Sequence, residues 1–328
     1  MTTVTVDRAG LRPGLRARLR RAGDALPDAS IGTVPILWSD APDTKRWGAT
    51  TILDEIVRLG YEGTQLGANF PTGASLRDEL ASRELRLAEV YVPLPATPDG
   101  PTAEAIDVAR ACLAQLHDAG GDVLCVAVDG SGDRDVAAGR ADSEAAPSFS
   151  DAGWDALADL LHLIADEAAA LGHPTVFHPH AATYVETLDE IDRLLDSTDP
   201  ARVGICLDTG HHLVAGGDPV GAIRSLGDRI RHVHLKDVDP GVLAGLRDGA
   251  YKSLSDAFRH GLFTELGAGA LALDDVLASL AARAYQGWLM VEQDRSLGPP
   301  SESAAIGRRV LAASLRRLGS DRRMRNVA

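Results

Sequence analysis

Side chains that bind metals and transfer protons follow apolar runs at four places in the second half of the chain. Six of the ten histidines fall there, together with several carboxylates. Because successive side chains of a strand alternate between two faces, His178 and His180 can share one side. The same spacing allows His232, His234 and Lys236 to share a side. The four segments are Phe177-His178-Pro179-His180, Cys206-Leu207-Asp208-Thr209-Gly210-His211-His212, His232-Val233-His234-Leu235-Lys236-Asp237 and Met290-Val291-Glu292-Gln293-Asp294.

These four segments predict a divalent metal site. Isolated charges are costly to bury, so carboxylates and imidazoles that converge at the ends of strands need a compensating cation. We predict Asp208, His234 and Glu292 as ligands, with His178 as the fourth. Mixed carboxylate and imidazole ligation suits Mn²⁺ or Co²⁺, with Mg²⁺, Fe²⁺ and Zn²⁺ as alternatives. No cysteine is expected to contribute a ligand.

A site of this kind supports chemistry next to a carbonyl group. A divalent cation bound to a ketone and its neighbouring hydroxyl acidifies the α-hydrogen by stabilising an enediolate. A base must then take the proton, and His211 and Lys236 are the candidates. Each also has a structural interpretation, since His211 could orient Asp208 and Lys236 could pair at the surface with Asp237.

Three further residues are predicted to contact the substrate. Trp38, expected at the end of the first strand, could form an apolar wall against the substrate ring, or it could simply pack in the core. His180 and His232 are predicted to bind the substrate through their imidazoles. His117, His162, His173 and His260 lie on predicted helices or loops and are assigned no role.

The elements that must position these residues alternate between strands and helices. Periodicity and apolar runs predict helices near 49–59, 103–119, 154–171 and 303–318, and a polar loop over 129–150. The number and alternation of the elements are typical of a (β/α)₈ TIM barrel, whose active site lies at the carboxyl ends of the strands. Eight strands are predicted, at 31–37, 64–66, 87–92, 123–128, 175–178, 203–207, 230–234 and 288–292.

A dinucleotide-binding fold is disfavoured by the glycine pattern. No glycine-rich phosphate loop follows the first predicted strand. The triplet Gly130-Ser131-Gly132 has Asp135 where the third glycine belongs, and Gly267-Ala268-Gly269 has no convincing strand before it. We therefore expect a closed barrel rather than a doubly wound sheet.

Composition and charge limit the class of protein. The 328 residues are 45% hydrophobic and 24% charged, so the chain lacks the low hydrophobicity that is typical of intrinsically disordered proteins. The net charge of −14 would repel a phosphate backbone, so nucleic-acid binding is not expected. No apolar run is long enough for a membrane span. The three cysteines, Cys112, Cys125 and Cys206, form no CxxC pair, which indicates a reducing, cytoplasmic location.

The chain is predicted to form one domain with two short appendages. Residues 1–28 hold six arginines but no apolar signal-peptide core, so they are interpreted as a basic N-terminal extension. Residues 29–320 are predicted to form the single barrel domain. Residues 321–328 are predicted to be a frayed basic tail.

Motifs along most of the chain resemble the sugar-phosphate isomerase/epimerase-like superfamily of xylose isomerase-like TIM barrels, and within it the inosose dehydratase branch. The likeness extends from about residue 31 to about residue 318. Besides the strand ends already quoted, the motifs are Ile31-Gly32-Thr33-Val34-Pro35-Ile36-Leu37-Trp38-Ser39, Gly60-Tyr61-Glu62-Gly63-Thr64-Gln65-Leu66-Gly67, Thr183-Tyr184-Val185-Glu186-Thr187 and Tyr285-Gln286-Gly287-Trp288.

The resemblance implies a metal held by Glu, Asp, His and Glu from the fifth to the eighth strands. Asp208, His234 and Glu292 match this pattern, but position 178 is His where most members carry Glu. The fourth ligand could therefore be His178, His180, Glu186 or water. Gln65 is a second departure, because the branch tends to carry Glu near the second strand, and it bears on the identity of the substrate.

The activity implied by the resemblance is the metal-dependent dehydration of a keto-cyclitol by a carbon–oxygen lyase, through α-proton abstraction and elimination of the β-hydroxyl. Two alternatives share the fold: a metal-dependent epimerase or isomerase of sugars or keto-sugars, and a barrel that binds a sugar without catalysis. A phosphodiesterase-type nuclease is disfavoured by the acidic charge. The expected partner is a small molecule, and a homodimer or tetramer would fit the barrel.

Overall fold

Eight parallel strands form a closed barrel, as predicted. The computed structural model describes residues 25–39, 47–142, 146–296 and 298–325 of the chain. The strands follow one another around the barrel in chain order, and the first pairs with the last from Ser30↔Trp288 to Thr33↔Val291. They are β1 (Ser30–Thr33), β2 (Gly63–Gln65), β3 (Arg86–Leu94), β4 (Val123–Val128), β5 (Thr175–Phe177), β6 (Val203–Asp208), β7 (Ile230–Leu235) and β8 (Trp288–Val291).

Helices follow the strands and cover the outside of the barrel. Two short antiparallel ladders, Ala96–Thr97 with Gly100–Pro101 and Asp237–Val238 with Phe263–Thr264, lie in the loops. The helices are α1 (Ile36–Ser39), α2 (Ala49–Arg58), α3 (Gly73–Ala81), α4 (Ala105–Ala119), α5 (Gly132–Ala137), α6 (Asp151–Ala170), α7 (Leu188–Ser197), α8 (Thr209–Val214), α9 (Pro219–Leu226), α10 (Pro240–Arg247), α11 (Leu254–Arg259), α12 (Leu273–Ala282) and α13 (Pro300–Arg325).

Three predicted boundaries are wrong or lie outside the described residues. The predicted loop over 129–150 contains α5, whose N-terminus is capped by the Ser131 hydroxyl. The last helix continues to Arg325, so residues 321–325 belong to it rather than to a separate tail. Residues 1–24 of the predicted N-terminal extension lie outside the described residues, and the division into extension, barrel and tail stays a prediction.

The alternation of side chains along the strands separates the core from the barrel interior. Ile205 and Leu207 of β6 belong to the large core between strands and helices. Cys206, which points the other way, belongs to a separate buried cluster with Cys125 and Met290. Asp208 shares the inward face with Cys206, so the barrel interior leads up to the predicted ligands.

Trp38 does not lie at the end of a strand. Strand β1 ends at Thr33, and Trp38 lies in α1, where its side chain is fully buried. Its indole nitrogen Nε1 donates a hydrogen bond to the Ser301 hydroxyl at 3.0 Å. The structure therefore favours the alternative of core packing for Trp38 over the predicted contact with the substrate.

Within the described residues, no helix is long and apolar enough to cross a membrane.

Candidate active site

Four predicted metal ligands meet at the carboxyl end of the barrel. His178 directly follows β5, Asp208 ends β6, His234 lies near the end of β7 and Glu292 directly follows β8. One potential ligand atom from each of the four lies within 4.8 Å of the others. Asp208 Oδ2 lies 3.6 Å from His178 Nε2 and 3.8 Å from His234 Nδ1, and His234 Nδ1 lies 2.6 Å from Glu292 Oε2.

Several atoms of this group are buried without a hydrogen-bond partner among the described residues. They are His178 Nδ1, Asp208 Oδ2, His234 Nδ1 and Glu292 Oε2. Buried polar atoms are ordinarily paired, so such a concentration of unpaired ones is typical of a ligand site. Two carboxylates and two imidazoles form a donor set that suits a divalent cation. The group therefore fits a metal ion.

The fourth member of the group is His178 rather than Glu186 or His180. Both carboxylate oxygens of Glu186 accept backbone hydrogen bonds at 2.7 Å, from Gly139 N and Ala182 N. His178 belongs to the group of four potential ligands, whereas His180 has no atom in it. Glu186 thus holds two loops together, and its candidacy as a ligand was wrong.

Lys236 lies at the centre of the site and makes no surface pair with Asp237. Its side chain is buried, and Nζ lies 2.9 Å from Glu292 Oε1 and 3.1 Å from Asp294 Oδ2. Asp237 is itself fully buried, and its two oxygens accept hydrogen bonds from the backbone N–H groups of Val238, Gly267, Gly269 and Leu271.

The carboxylates around Lys236 decide its charge. Burial lowers the pKa of Lys236, but Asp208, Asp294 and Glu292 together raise it well above its usual value. The three carboxylates therefore favour the ammonium form of Lys236 over a neutral amine. Burial, opposed by Lys236 but assisted by Glu292, raises the pKa of the Asp294 carboxyl to about 7. Asp294, which follows Glu292 by two residues, was not among the predicted site residues.

His211 contacts both Asp208 and Lys236. Its backbone N–H donates to Asp208 Oδ1 at 2.8 Å, so Asp208 caps helix α8. Its ring nitrogen Nε2 lies 3.0 Å from Lys236 Nζ. Burial, His180 and Lys236 lower the pKa of His211 well below its usual value, so the imidazole is neutral. A neutral imidazole beside an ammonium group is an arrangement that can both accept and donate protons.

The two histidines predicted to bind substrate have different surroundings. His180 is half-buried, and its ring lies against that of His211 with 3.6 Å between the ring centres. Burial is the main reason why the pKa of His180 falls to about 3. His232 is fully buried, and its Nε2 lies 3.1 Å from Glu89 Oε2. Its full burial argues against the predicted direct contact between His232 and the substrate.

Glu89 was missed by the sequence analysis. It lies on β3, fully buried, with Oε1 2.9 Å from His234 Nε2 and 3.3 Å from Gln65 Nε2. Burial raises the pKa of Glu89, but His234 and His232 lower it well below its usual value, so the group is ionised. The signal in the sequence was a single carboxylate within the apolar run Leu87-Ala88-Glu89-Val90-Tyr91-Val92.

Two cysteines also approach His234. Cys125 on β4 and Cys206 on β6 are fully buried, and each offers a sulfur within 4.8 Å of a ring nitrogen of His234 and of the other sulfur. Neither sulfur belongs to the group of His178, Asp208, His234 and Glu292, so the expectation that no cysteine contributes a ligand there stays a prediction. All three cysteines of the chain are free thiols.

Comparisons with known proteins agree with the barrel fold. A family model described as a xylose isomerase-like TIM barrel matches residues 53–314. An inosose dehydratase of Bacillus velezensis is 34% identical over 302 residues, which cover 87% of this chain and 98% of the relative. An inosose dehydratase of Bacillus licheniformis is 34% identical over 86% of this chain and 96% of the relative.

Solved structures share the fold at lower sequence identity. An L-ribulose 3-epimerase is 17% identical with a TM-score of 0.67, and the match covers 92% of this chain and 98% of that one. A probable 3-DHS dehydratase of Bacillus anthracis is 16% identical with a TM-score of 0.65, covering 86% of this chain and 98% of that one. The chain therefore belongs to the xylose isomerase-like TIM barrel family and, within it, to the inosose dehydratase branch.

Proposed function

We propose that the chain is a metal-dependent carbon–oxygen lyase that dehydrates a keto-cyclitol such as 2-keto-myo-inositol. The observation that carries the proposal is the group of His178, Asp208, His234 and Glu292, whose potential ligand atoms lie within 4.8 Å of one another and include unpaired buried atoms. The similarity to inosose dehydratases over nearly their whole length supports the choice of reaction and substrate.

The four residues of the group would hold the cation. Mn²⁺ and Co²⁺ suit the two carboxylates and two imidazoles, with Mg²⁺, Fe²⁺ and Zn²⁺ as alternatives. When bound, a divalent ion supplies Lewis-acid polarisation of a ketone, which acidifies the hydrogen on the neighbouring carbon.

The proton transfers fall to His211 and Lys236. The neutral imidazole of His211 accepts the α-hydrogen as a proton, and the electrons of the broken C–H bond form the new C=C bond. The β C–O bond breaks, and its oxygen leaves as water after taking a proton from Lys236 Nζ. The raised pKa of Lys236 keeps this proton in place until the leaving oxygen becomes basic. His180, half-buried beside His211, is the remaining candidate to contact the substrate.

Product analysis tests the reaction class. Protein loaded with Mn²⁺ or Co²⁺ is incubated with a panel of keto-inositols and ketohexoses, and the products are followed by mass spectrometry and ultraviolet absorbance. We expect loss of one water and an absorbing enone or dione from a keto-inositol. A product of unchanged mass would instead identify an epimerase or isomerase, and metal binding without any turnover would identify a non-catalytic binding protein.

Two variants test the assigned proton transfers. We expect His211→Gln and Lys236→Met each to lower kcat by about 10²- to 10⁴-fold, the usual contribution of a general acid or base. Both should still bind the metal, since neither residue belongs to the ligand group. Retention of full turnover in either variant would reject the corresponding role.

We also propose a cytoplasmic location, which the three free thiols support. A homodimer or tetramer is retained as a proposal, to be tested by light scattering on the purified protein.

A further inference from the structure

Glu89 is a buried carboxylate just below the ligand group. It comes from β3, on the opposite side of the barrel from β7, and its side chain is fully buried. Its oxygens lie 2.9 Å from His234 Nε2 and 3.1 Å from His232 Nε2. Neither ring nitrogen makes an in-line hydrogen bond among the described residues, so both contacts with the carboxylate are electrostatic. Gln65 Nε2 donates to Glu89 Oε1 at 3.3 Å and fixes the orientation of the carboxylate.

The position of Glu89 bears on which ring nitrogen of His234 carries the proton. An ionised carboxylate only accepts, so a nitrogen that faces it is stabilised as N–H. A neutral imidazole has one N–H and one lone pair. A proton on Nε2, facing Glu89, therefore leaves the lone pair on Nδ1. It is Nδ1 that lies near Asp208 and Glu292 in the ligand group.

A second carboxylate competes for the same proton. Glu292 Oε2 lies only 2.6 Å from His234 Nδ1, and it would favour the tautomer with the N–H on Nδ1. In that tautomer the imidazole offers no lone pair to a cation held between Asp208 and Glu292. The balance between Glu89 and Glu292 thus decides whether His234 can act as a ligand.

We propose that Glu89 is a positioning residue that keeps the N–H of His234 on Nε2 and so turns the Nδ1 lone pair toward the cation. The proposal rests on the metal site of the proposed function. Carboxylates behind ligating histidines generally fix the ring tautomer and raise ligand basicity, and their loss costs about 10- to 100-fold in metal affinity.

His232 provides a matched control. It lies two residues before His234 on the same strand, and it contacts the same carboxylate, but it has no atom in the group of four ligands. A change at His232 disturbs the buried cluster to a similar extent without removing the partner of His234.

Co²⁺ titration of the metal-free protein tests the proposal without any substrate. Calorimetry should give a dissociation constant about 10- to 100-fold higher for Glu89→Gln than for the wild type. His232→Gln should bind Co²⁺ as the wild type does. Equal affinity in Glu89→Gln, or an equal loss in both variants, would overturn the proposal. A wild type that binds no Co²⁺ would instead overturn the proposed function.

A second measurement does not depend on the variant folding or on metal binding. The metal-free wild type is labelled with ¹⁵N-histidine, and His234→Gln identifies the signals of His234. Burial lowers the pKa of His234, but Glu89 and Glu292 help to raise it above its usual value. The spectra are therefore recorded at a pH high enough for its ring to carry one proton, and we expect the nitrogen shifts of the tautomer with that proton on Nε2. A proton on Nδ1 in the wild type would reject the role of Glu89, whatever the metal affinity.

Discussion

Two buried clusters of charged side chains lie near the carboxyl end of the barrel, and they differ in how completely they are paired. The first, here called the loop cluster, consists of Arg134, Glu186 and Glu190. The second, the metal cluster, consists of His178, Asp208, His234 and Glu292. Both contain two carboxylates, and all seven side chains are largely or fully withdrawn from solvent.

The loop cluster leaves no carboxylate oxygen without a partner. Arg134 donates to both oxygens of Glu190 at 2.8 Å, and Glu186 accepts from the two loop N–H groups. Glu190 Oε2 also accepts from the N–H groups of Glu186 and Thr187, and it completes a capping box on α7. In the metal cluster, by contrast, Asp208 Oδ2 and Glu292 Oε2 lack hydrogen bonds within the described residues.

This difference separates a structural cluster from a functional one. Buried carboxylates whose oxygens all accept hydrogen bonds hold segments of the chain together, and in the loop cluster only Arg134 Nε lacks a hydrogen-bond partner among the described residues. Buried carboxylate oxygens that lack hydrogen bonds, such as Asp208 Oδ2 and Glu292 Oε2, raise the free energy of the folded state until a ligand supplies the missing interactions, even though Lys236 lies nearby. Burial and charge alone would not have distinguished the two clusters.

The largest expected effect is on the metal cluster. Asp208→Asn keeps the size of the side chain but removes the charge at a ligand position, so we expect metal binding to be lost and kcat/KM to fall by roughly 1000-fold or more. Calorimetry with Mn²⁺ and a turnover assay provide the two readouts. Wild-type metal affinity in this variant would contradict the distinction between the clusters.

A substitution in the loop cluster should lower the free energy of unfolding and leave metal binding unchanged. Arg134→Met leaves the buried Glu190 without its cation, and we expect the free energy of unfolding to fall by about 3–5 kcal/mol. Arg317→Met is the control, because it breaks an exposed pair with Asp274 and should cost at most about 1 kcal/mol. Urea denaturation measures both. The folded fraction of Arg134→Met should bind Mn²⁺ with wild-type affinity, and a large loss of affinity would contradict the comparison.

Metal addition should stabilise only a chain with an intact metal cluster. At a free Mn²⁺ concentration of 100 times Kd, linkage predicts a gain of about 2.7 kcal/mol in the free energy of unfolding. Wild type and Arg317→Met should gain equally, Asp208→Asn should gain nothing, and a chelator should reverse the effect. Thermal unfolding with and without Mn²⁺ makes the measurement, and equal gains in Asp208→Asn would place the bound ion elsewhere.

The smallest expected effect concerns a pair of histidines outside both clusters. His117 Nδ1 lies 3.1 Å from His173 Nε2, and burial together with His117 lowers the pKa of His173. As the pH falls, His173 is therefore protonated in the unfolded chain before it is protonated in the folded one. Its contribution to the free energy of unfolding is fully present above the ordinary histidine pKa of about 6.5 and is lost as the pH drops below that value.

Urea midpoints at pH 7.5 and pH 5 test this sign. His173→Gln removes the group, so its stability should fall less between the two pH values than that of the wild type. An identical fall in both proteins would show that this pair contributes nothing to the pH dependence.

The barrel and most of the metal cluster were predictable because the signals are local. Strand β4, Val123–Val128, is a continuous apolar run, and its predicted and observed boundaries coincide. Asp208, His234 and Glu292 were found because each ends or follows an apolar run, and in a barrel such ends meet at one face. The helix α5 was missed because a short helix of six residues has too little periodicity to stand out.

The roles of Trp38, Glu89 and Glu186 could not be read from local patterns. Trp38 was predicted either to form a substrate wall or to pack in the core, and the structure favours core packing, since β1 ends five residues earlier and the ring is fully buried. Glu186 had the right chemistry for a ligand, but the loops of Gly139 and Ala182 take both of its oxygens. Each outcome depends on a partner that is distant in sequence.

The amino-acid sequence by itself determined the alternation of strands and helices, and with it the end of the barrel where reactive side chains collect, because backbone periodicity is encoded by neighbouring residues. Only the tertiary structure decided which of these side chains remain unpaired. Closure of the barrel brings Glu89 of β3 against His234 of β7, and the loops supply N–H partners to Glu186 and none to Asp208 Oδ2 within the described residues. Hydrogen-bond pairing across such distances depends on ångström-scale geometry that no local pattern specifies.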